Sequence, residues 1–207
     1  MDSPFLRAHG LLRYIGVFLS GVCHQLPEHS IHLAGVQTLL CTRCTGTYLG
    51  ALLGLFNLWL RGRARDAKLP PPGILAMQGL FSASWAIDGL NSYLQFLPGI
   101  SGLYPPSNWL RLTTGMLHGL SLSLFVLPMF NFTFWREPDR QRVMRDWREL
   151  GGILLQLLAV GLLLQARPDV LLYPLLAVQS LSVLMLLTIV NSMIVVILLH
   201  RENRAQH

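Results

Sequence analysis

Two long apolar blocks, 150–165 and 170–199, constrain this chain more than any other feature. A bilayer core about 30 Å thick needs about 20 apolar residues when they coil as helix. Blocks of that length are hard to bury inside a small soluble domain. Composition agrees: 52% of the 207 residues are hydrophobic and 13% are charged, against about 25% charged in ordinary soluble domains. The expectation is an all-α polytopic membrane protein, with a single transmembrane domain over residues 1–207. Six spans are predicted, at about 5–22, 45–60, 74–97, 109–130, 150–166 and 171–199. The first is the weakest, because Arg7, His9 and Arg13 interrupt it. It is not read as a cleaved lipoprotein signal, since Val22 rather than a small residue precedes Cys23.

The net charge of +6 does not point to nucleic acid, because the basic residues cluster between apolar blocks. Segments 61–73 and 131–149 carry most of them, and the C-terminal "HRENRAQH" is basic too. Segments 23–40 and 98–108 contain no lysine or arginine. Lysine and arginine favour the cytoplasmic side. One topology satisfies every loop: both termini inside, 61–73 and 131–149 cytoplasmic, and the 23–44 loop outside.

Two spans carry polar groups that lipid would penalise. Asp88, Asn91 and Gln95 are spaced i, i+3, i+7 and share one helical face. Arg111, Thr114 and His118 repeat the spacing in the next span. An ionised residue within a span costs about 2.5–3.5 kcal/mol on insertion scales and faces protein or a cavity. Two readings stand side by side. Asp88 and Arg111 pair and hold two helices together, or they line a pocket, with Asp88 as base and Arg111 as anion clamp. Both lie toward the outer face, on the side of the 23–44 loop.

That loop holds all three cysteines, Cys23, Cys41 and Cys44, together with His24, His29 and His32. Three thiolates and one imidazole make a tetrahedral zinc site. Adjacent residues seldom ligate one ion comfortably, which on geometry alone favours His29 or His32 over His24. Cys41-Thr-Arg-Cys44 also suits a thiol–disulfide oxidoreductase passing electrons to a quinone. A plain structural disulfide is the third reading. Arg43, between the two cysteines, is expected to lower their thiol pKa. Gly46, Gly50 and Gly54 have the small-xxx-small spacing of close helix packing.

These residues resemble the signature of a family of small bacterial multi-spanning membrane proteins of unknown function. Its first block appears here as Cys23, His24, Gln25, Pro27, Glu28 and Ser30. The second appears as Cys41, Arg43, Cys44, Gly46, Tyr48 and Gly50. Asp88 and Gly89 follow, then Asn108, Arg111, Thr114 and Gly115. The likeness covers about residues 20–120 and leaves out the last two spans. It implies that His24 belongs with the cysteines as a metal ligand, against the geometric preference. It also implies a site that includes Arg43, Asp88, Asn108, Arg111 and Thr114, in a bacterial inner membrane, and it supplies no reaction. The expected function is a metal centre, zinc by its donors, beside a polar pocket, acting on a lipid-borne or amphipathic substrate. The alternative is a non-enzymatic accessory or assembly subunit of a larger membrane complex.

Overall fold

The computed structural model describes residues 11–97 and 102–205. It is mostly helical: α1 (Leu11–Ser20), α2 (Thr42–Leu60), α3 (Pro72–Leu94), α4 (Asn108–Phe134), α5 (Trp147–Gln165) and α6 (Leu172–Leu198). One helix overlaps each expected span, although residues 5–10 of the first lie outside the described residues. Among the described residues, the helices long and apolar enough to cross a membrane are α4, α5 and the segment Asp169–Leu198 containing α6.

Glycine decides how the centre packs. α2 and α4 cross so closely that a Cβ on Gly50 would stand 2.1 Å from the Met116 carbonyl oxygen, and one on Gly46 2.4 Å from that of Leu112. Gly115 and Gly119 return the contact from α4, each against backbone of α2. The small-xxx-small stripe therefore packs two backbones together, as its spacing predicts. Polar side chains fasten the outer helices to this pair. Gln179 of α6 donates to Thr45 Oγ1 at 2.7 Å, and Asn57 of α2 donates to Gln156 of α5 at 2.7 Å. Such bonds matter where lipid offers no hydrophobic drive for helices to associate. The outward surface is apolar instead, with Leu155, Leu158 and Leu162 on α5 and Leu181, Ile194 and Leu198 on α6 all exposed. A patch of that extent is a surface for lipid or for another protein.

The loops sort to two ends. At one end, the backbone N–H of Ala34 donates to Asp169 Oδ1 at 2.7 Å, and Asn108 Nδ2 donates to the Glu28 carbonyl at 3.2 Å. The segments around 30, 105 and 169 thus meet. At the other end lie the basic segments, and they are structured. β3 (Asp66–Lys68) pairs in parallel with β4 (Asp139–Arg142). Asn131 Nδ2 donates to the carbonyls of Ala64 and Asp66, both at 2.9 Å, and Arg63 is ion-paired with Glu149. The expected loop limits shift accordingly: α3 begins at Pro72, α4 runs on to Phe134, and α5 begins at Trp147.

The 23–44 segment departs most from expectation. It is not an irregular loop but a hairpin, β1 (Ser30–Leu33) against β2 (Val36–Cys41), antiparallel, entered through a 3-10 turn at Pro27–His29. Its two-residue connection, Ala34–Gly35, has φ of +48° and +72°, the left-handed pair of a type I′ turn.

Candidate metal centre and adjoining pocket

The hairpin register brings the cysteines together. Ser30 pairs with Cys41 at the open end of the hairpin, and Cys41 is the N-cap of α2. The chain leaving α1 passes the same point, so the backbone N–H of Cys41 donates to Cys23 Sγ at 3.1 Å. Gln25 locks this entry. It adopts φ +50°, and its buried amide donates to the carbonyls of Gly16 and Leu39, both at 2.9 Å. Gln37 Nε2 in turn donates to the Gln25 carbonyl at 2.7 Å. One amide therefore ties α1, β2 and the Cys23–His24 turn into one unit.

The donor atoms of Cys23, His24 and Cys41 all lie within 4.8 Å of one another, close enough to hold a metal ion. Cys44 stands beside this group rather than in it, with its Sγ 4.0 Å from the Val22 carbonyl. All three cysteines are free thiols. The Cys23 thiol is held below its ordinary pKa, chiefly by the neighbouring Cys41 and Cys44 side chains. That of Cys41 is pushed up to about 11, chiefly by its hydrogen bond to Cys23. Soft sulfur donors beside an imidazole suit zinc and similar ions, which take thiolates at about 2.3 Å and imidazole at about 2.0–2.1 Å.

His24 thus joins the cluster despite being adjacent to Cys23. His29 stands one bond further out, with its Nδ1 3.3 Å from His24 Nε2. His32 is exposed on β1.

Arg43 does not act on the cysteines as expected, because its guanidinium points away from them to α3. It pairs with Asp88 Oδ2 at 2.5 Å and donates to the Asp88 carbonyl at 3.0 Å and to Ser92 Oγ at 2.8 Å. Asp88 is 1% exposed and also accepts from the Tyr104 hydroxyl at 3.2 Å. Asn91 and Gln95 hold the carbonyl of that same Tyr104, at 3.0 and 3.2 Å. The one-face spacing of Asp88, Asn91 and Gln95 is therefore real, and the segment before α4 is clamped against it.

Of the two readings for Asp88 and Arg111, the direct pair is absent, because Arg43 occupies the carboxylate. Arg111 is 4% exposed. Its Nη1 donates to Asn108 Oδ1 at 2.9 Å, and its buried Nε has no partner. It lines a pocket of about 410 Å³ with Glu28, His29, Ser92, Gln95, Phe96, Pro106 and Asn108. Asn108, Arg111 and the 3-10 turn that leads into the hairpin thus meet around one space, while Asp88 holds Arg43 and Tyr104 beside it. Thr114 Oγ1 donates within its own helix, to the Leu110 carbonyl at 2.8 Å. His118 stacks on Trp85 with ring centres 4.3 Å apart and lies 3.1 Å from Ser82 Oγ, a contact between α3 and α4. Sequence reasoning missed Ser92 and Tyr104, both generic residues that only the packing of α3 brings to Arg43 and Asp88.

Residues 23–125 match the profile of a family described as "Predicted membrane protein (DUF2085)". The match begins at the first cysteine, includes every residue of the cluster and pocket, and ends within α4. Two relatives are similar over nearly the same region. An uncharacterized protein of Methanocaldococcus jannaschii is 29% identical over 109 residues, which is 53% of this chain and 64% of that protein. An uncharacterized protein of Methanothermobacter thermautotrophicus is 29% identical over 103 residues, 50% of this chain and 82% of that one. The chain thus matches less than two thirds of the first relative's length, and both relatives are archaeal rather than bacterial. No solved structure matches.

Proposed function

We propose that this protein is a six-span membrane protein whose Cys23, His24, Cys41 and Cys44 bind one zinc-like ion beside a pocket for an amphipathic molecule. The observation that carries the reading is the convergence of Cys23, His24 and Cys41 within 4.8 Å. The two-ended sorting of the loops supports an orientation with both termini inside and the hairpin outside. The segments poor in lysine and arginine gather with the cysteines, and the basic ones gather at the opposite end, which the positive-inside tendency places in the cytoplasm.

With all four residues as ligands the ion is structural and fixes the hairpin. With Cys23, His24 and Cys41 alone it keeps an open position, which is the arrangement that activates water. His29 connects the two parts, since it bonds to His24 and lines the pocket. A ligating imidazole usually gives its second ring nitrogen to such a partner, which fixes its tautomer. In this reading Arg111 and Asn108 receive the ligand. Arg43 and Asp88 hold each other and Tyr104, so they are positioning groups rather than a base. Thr114 serves helix packing.

The test is the metal content of detergent-purified protein, with Cys41→Ser and His24→Gln alongside. About one zinc per chain, lost in Cys41→Ser, supports the reading. The same three free thiols also favour a second reading, thiol–disulfide exchange. A metal-free protein whose Cys41–Cys44 pair cycles with quinone would establish that reading and end the first.

A further inference from the structure

Among the described residues, the buried Arg111 has no carboxylate partner. Its natural partner, Asp88, is bound to Arg43 through Nε at 3.1 Å and Nη2 at 2.5 Å. What remains for Arg111 is one bond to Asn108 and a buried Nε with none. A buried guanidinium normally has its donors satisfied, and leaving them unpaired costs more than most polar groups. Arg111 nevertheless lines a pocket of about 410 Å³, large enough for more than a water or two.

The rest of the wall fits the same occupant. Ser107, the N-cap of α4, makes no side-chain cap bond, so the first turn of α4 keeps free N–H groups beside Asn108 and Arg111. Uncapped helix starts attract anions. Gln95 and Asn108 each have a second amide hydrogen beyond their bonds to Tyr104 and Glu28, and Ser92, which accepts from Arg43, has its hydroxyl hydrogen to donate. Donors from several directions match a tetrahedral oxyanion better than a planar carboxylate, and the planar guanidinium fork suits phosphate. Glu28 is the acid of the wall and is exposed at its rim. Phe96, also exposed, and Pro106 add the apolar part of the wall, and His29 completes it.

We infer that the Arg111 pocket binds a phosphate-type oxyanion, with Phe96 and Pro106 receiving apolar substituents beside it. This names the head group of the amphipathic molecule proposed above and rests on that pocket, not on the metal. The phosphate could be carried by a lipid or be free.

Binding would be measured in phosphate-free detergent with dihexanoyl phosphatidic acid, inorganic phosphate and, as the control without phosphate, dihexanoylglycerol. Phosphatidic acid should bind, dihexanoylglycerol should not, and Arg111→Gln should weaken binding by about tenfold or more, the loss of a charge-assisted contact. Arg111→Lys should recover part of it, since the charge returns without the fork. If Arg111→Gln does not fold, Gln95→Ala and Asn108→Ala provide the same reading from the neighbouring donors. Inorganic phosphate binding as tightly as phosphatidic acid supports the oxyanion site with a free ligand. Weaker phosphate binding supports it with a lipid. No binding of either probe, or affinity unchanged in Arg111→Gln, overturns the inference. Metal content of the same samples separates the two proposals. A metal-loaded protein without phosphate binding ends this one alone, and phosphate binding by a metal-free protein ends the metal reading alone.

Discussion

Replacing Asp88 by alanine should be among the most damaging single changes in this protein, and the partner that rescues it should be Arg43. The mutation removes the acceptor of two Arg43 bonds, at 3.1 and 2.5 Å, and of one from Tyr104 at 3.2 Å. The Arg43 side chain is only 16% exposed, so its charge cannot simply turn to water. Breaking one side of a buried ion pair costs about 3–5 kcal/mol, mostly through the charge left behind. Replacing both charges by apolar residues removes that penalty, so Arg43→Leu/Asp88→Leu should return to within about 1–2 kcal/mol of the parent. A double-mutant cycle for this pair should give a coupling of about 2–3 kcal/mol. The parallel cycle of Asp88→Leu with Arg111→Leu should give less than about 1 kcal/mol, because those side chains share no bond. Reversible unfolding in mixed micelles measures both. A large coupling to Arg111 with none to Arg43 would refute the ion-pair assignment, and with it the argument that Arg111 is left free.

Three further outcomes follow from the same geometry. Gly50→Ala should weaken the α2–α4 crossing by about 1–3 kcal/mol, the usual cost of overpacking, because its Cβ would meet backbone at 2.1 Å; Gly151→Ala, with nothing within 4 Å, should be neutral or slightly stabilising in the same assay. Burial and the facing carboxylate of Asp139 hold the Asp66 carboxyl above its ordinary pKa, so the folded state binds that proton more tightly than the unfolded state. Stability should therefore rise as pH falls from neutral through the raised folded pKa toward the ordinary carboxylate value. Asp66→Asn should stabilise at neutral pH, and that gain should shrink in acid; a gain that grows in acid would contradict the assignment. Gln25→Ala, by cutting the bonds to Gly16 and Leu39, should lower metal affinity without removing a ligand, and equal affinity would show that the turn holds its shape without the amide.

The helices α4, α5 and α6 were legible because their length and apolarity are visible in the sequence, and these are the ones long and apolar enough to cross a membrane among the described residues. The glycine stripe was legible for a similar reason: Gly46, Gly50 and Gly54 at four-residue spacing have little use except close approach. The hairpin was hidden. Its turn is Ala34–Gly35 rather than the Asn-Gly or Asp-Gly that announces a type I′ turn. Its strands are short, and β2 is buried at five of its six positions, so the alternation that marks a surface strand never appears. The partners of the charged residues were hidden for a different reason. Helical phase placed Asp88 and Arg111 at similar depth, and depth alone made them look like a pair. Arg43 was read through its cysteine neighbours in sequence, whereas the first turn of α2 rotates it away from them and onto α3. His24 shows the opposite case: local geometry argued against it, and the turn at Gln25, which no sequence rule forecasts, brings it beside Cys23 and Cys41.

The central claim is that the cysteine cluster holds a metal, and metal analysis with thiol counting on one purified sample tests it most directly. The account predicts about one zinc-like ion per chain and three thiols that resist alkylation under denaturant-free conditions. All three should become reactive once a chelator removes the ion. A protein without metal, whose thiols are already oxidised or react freely before any chelator is added, would contradict it.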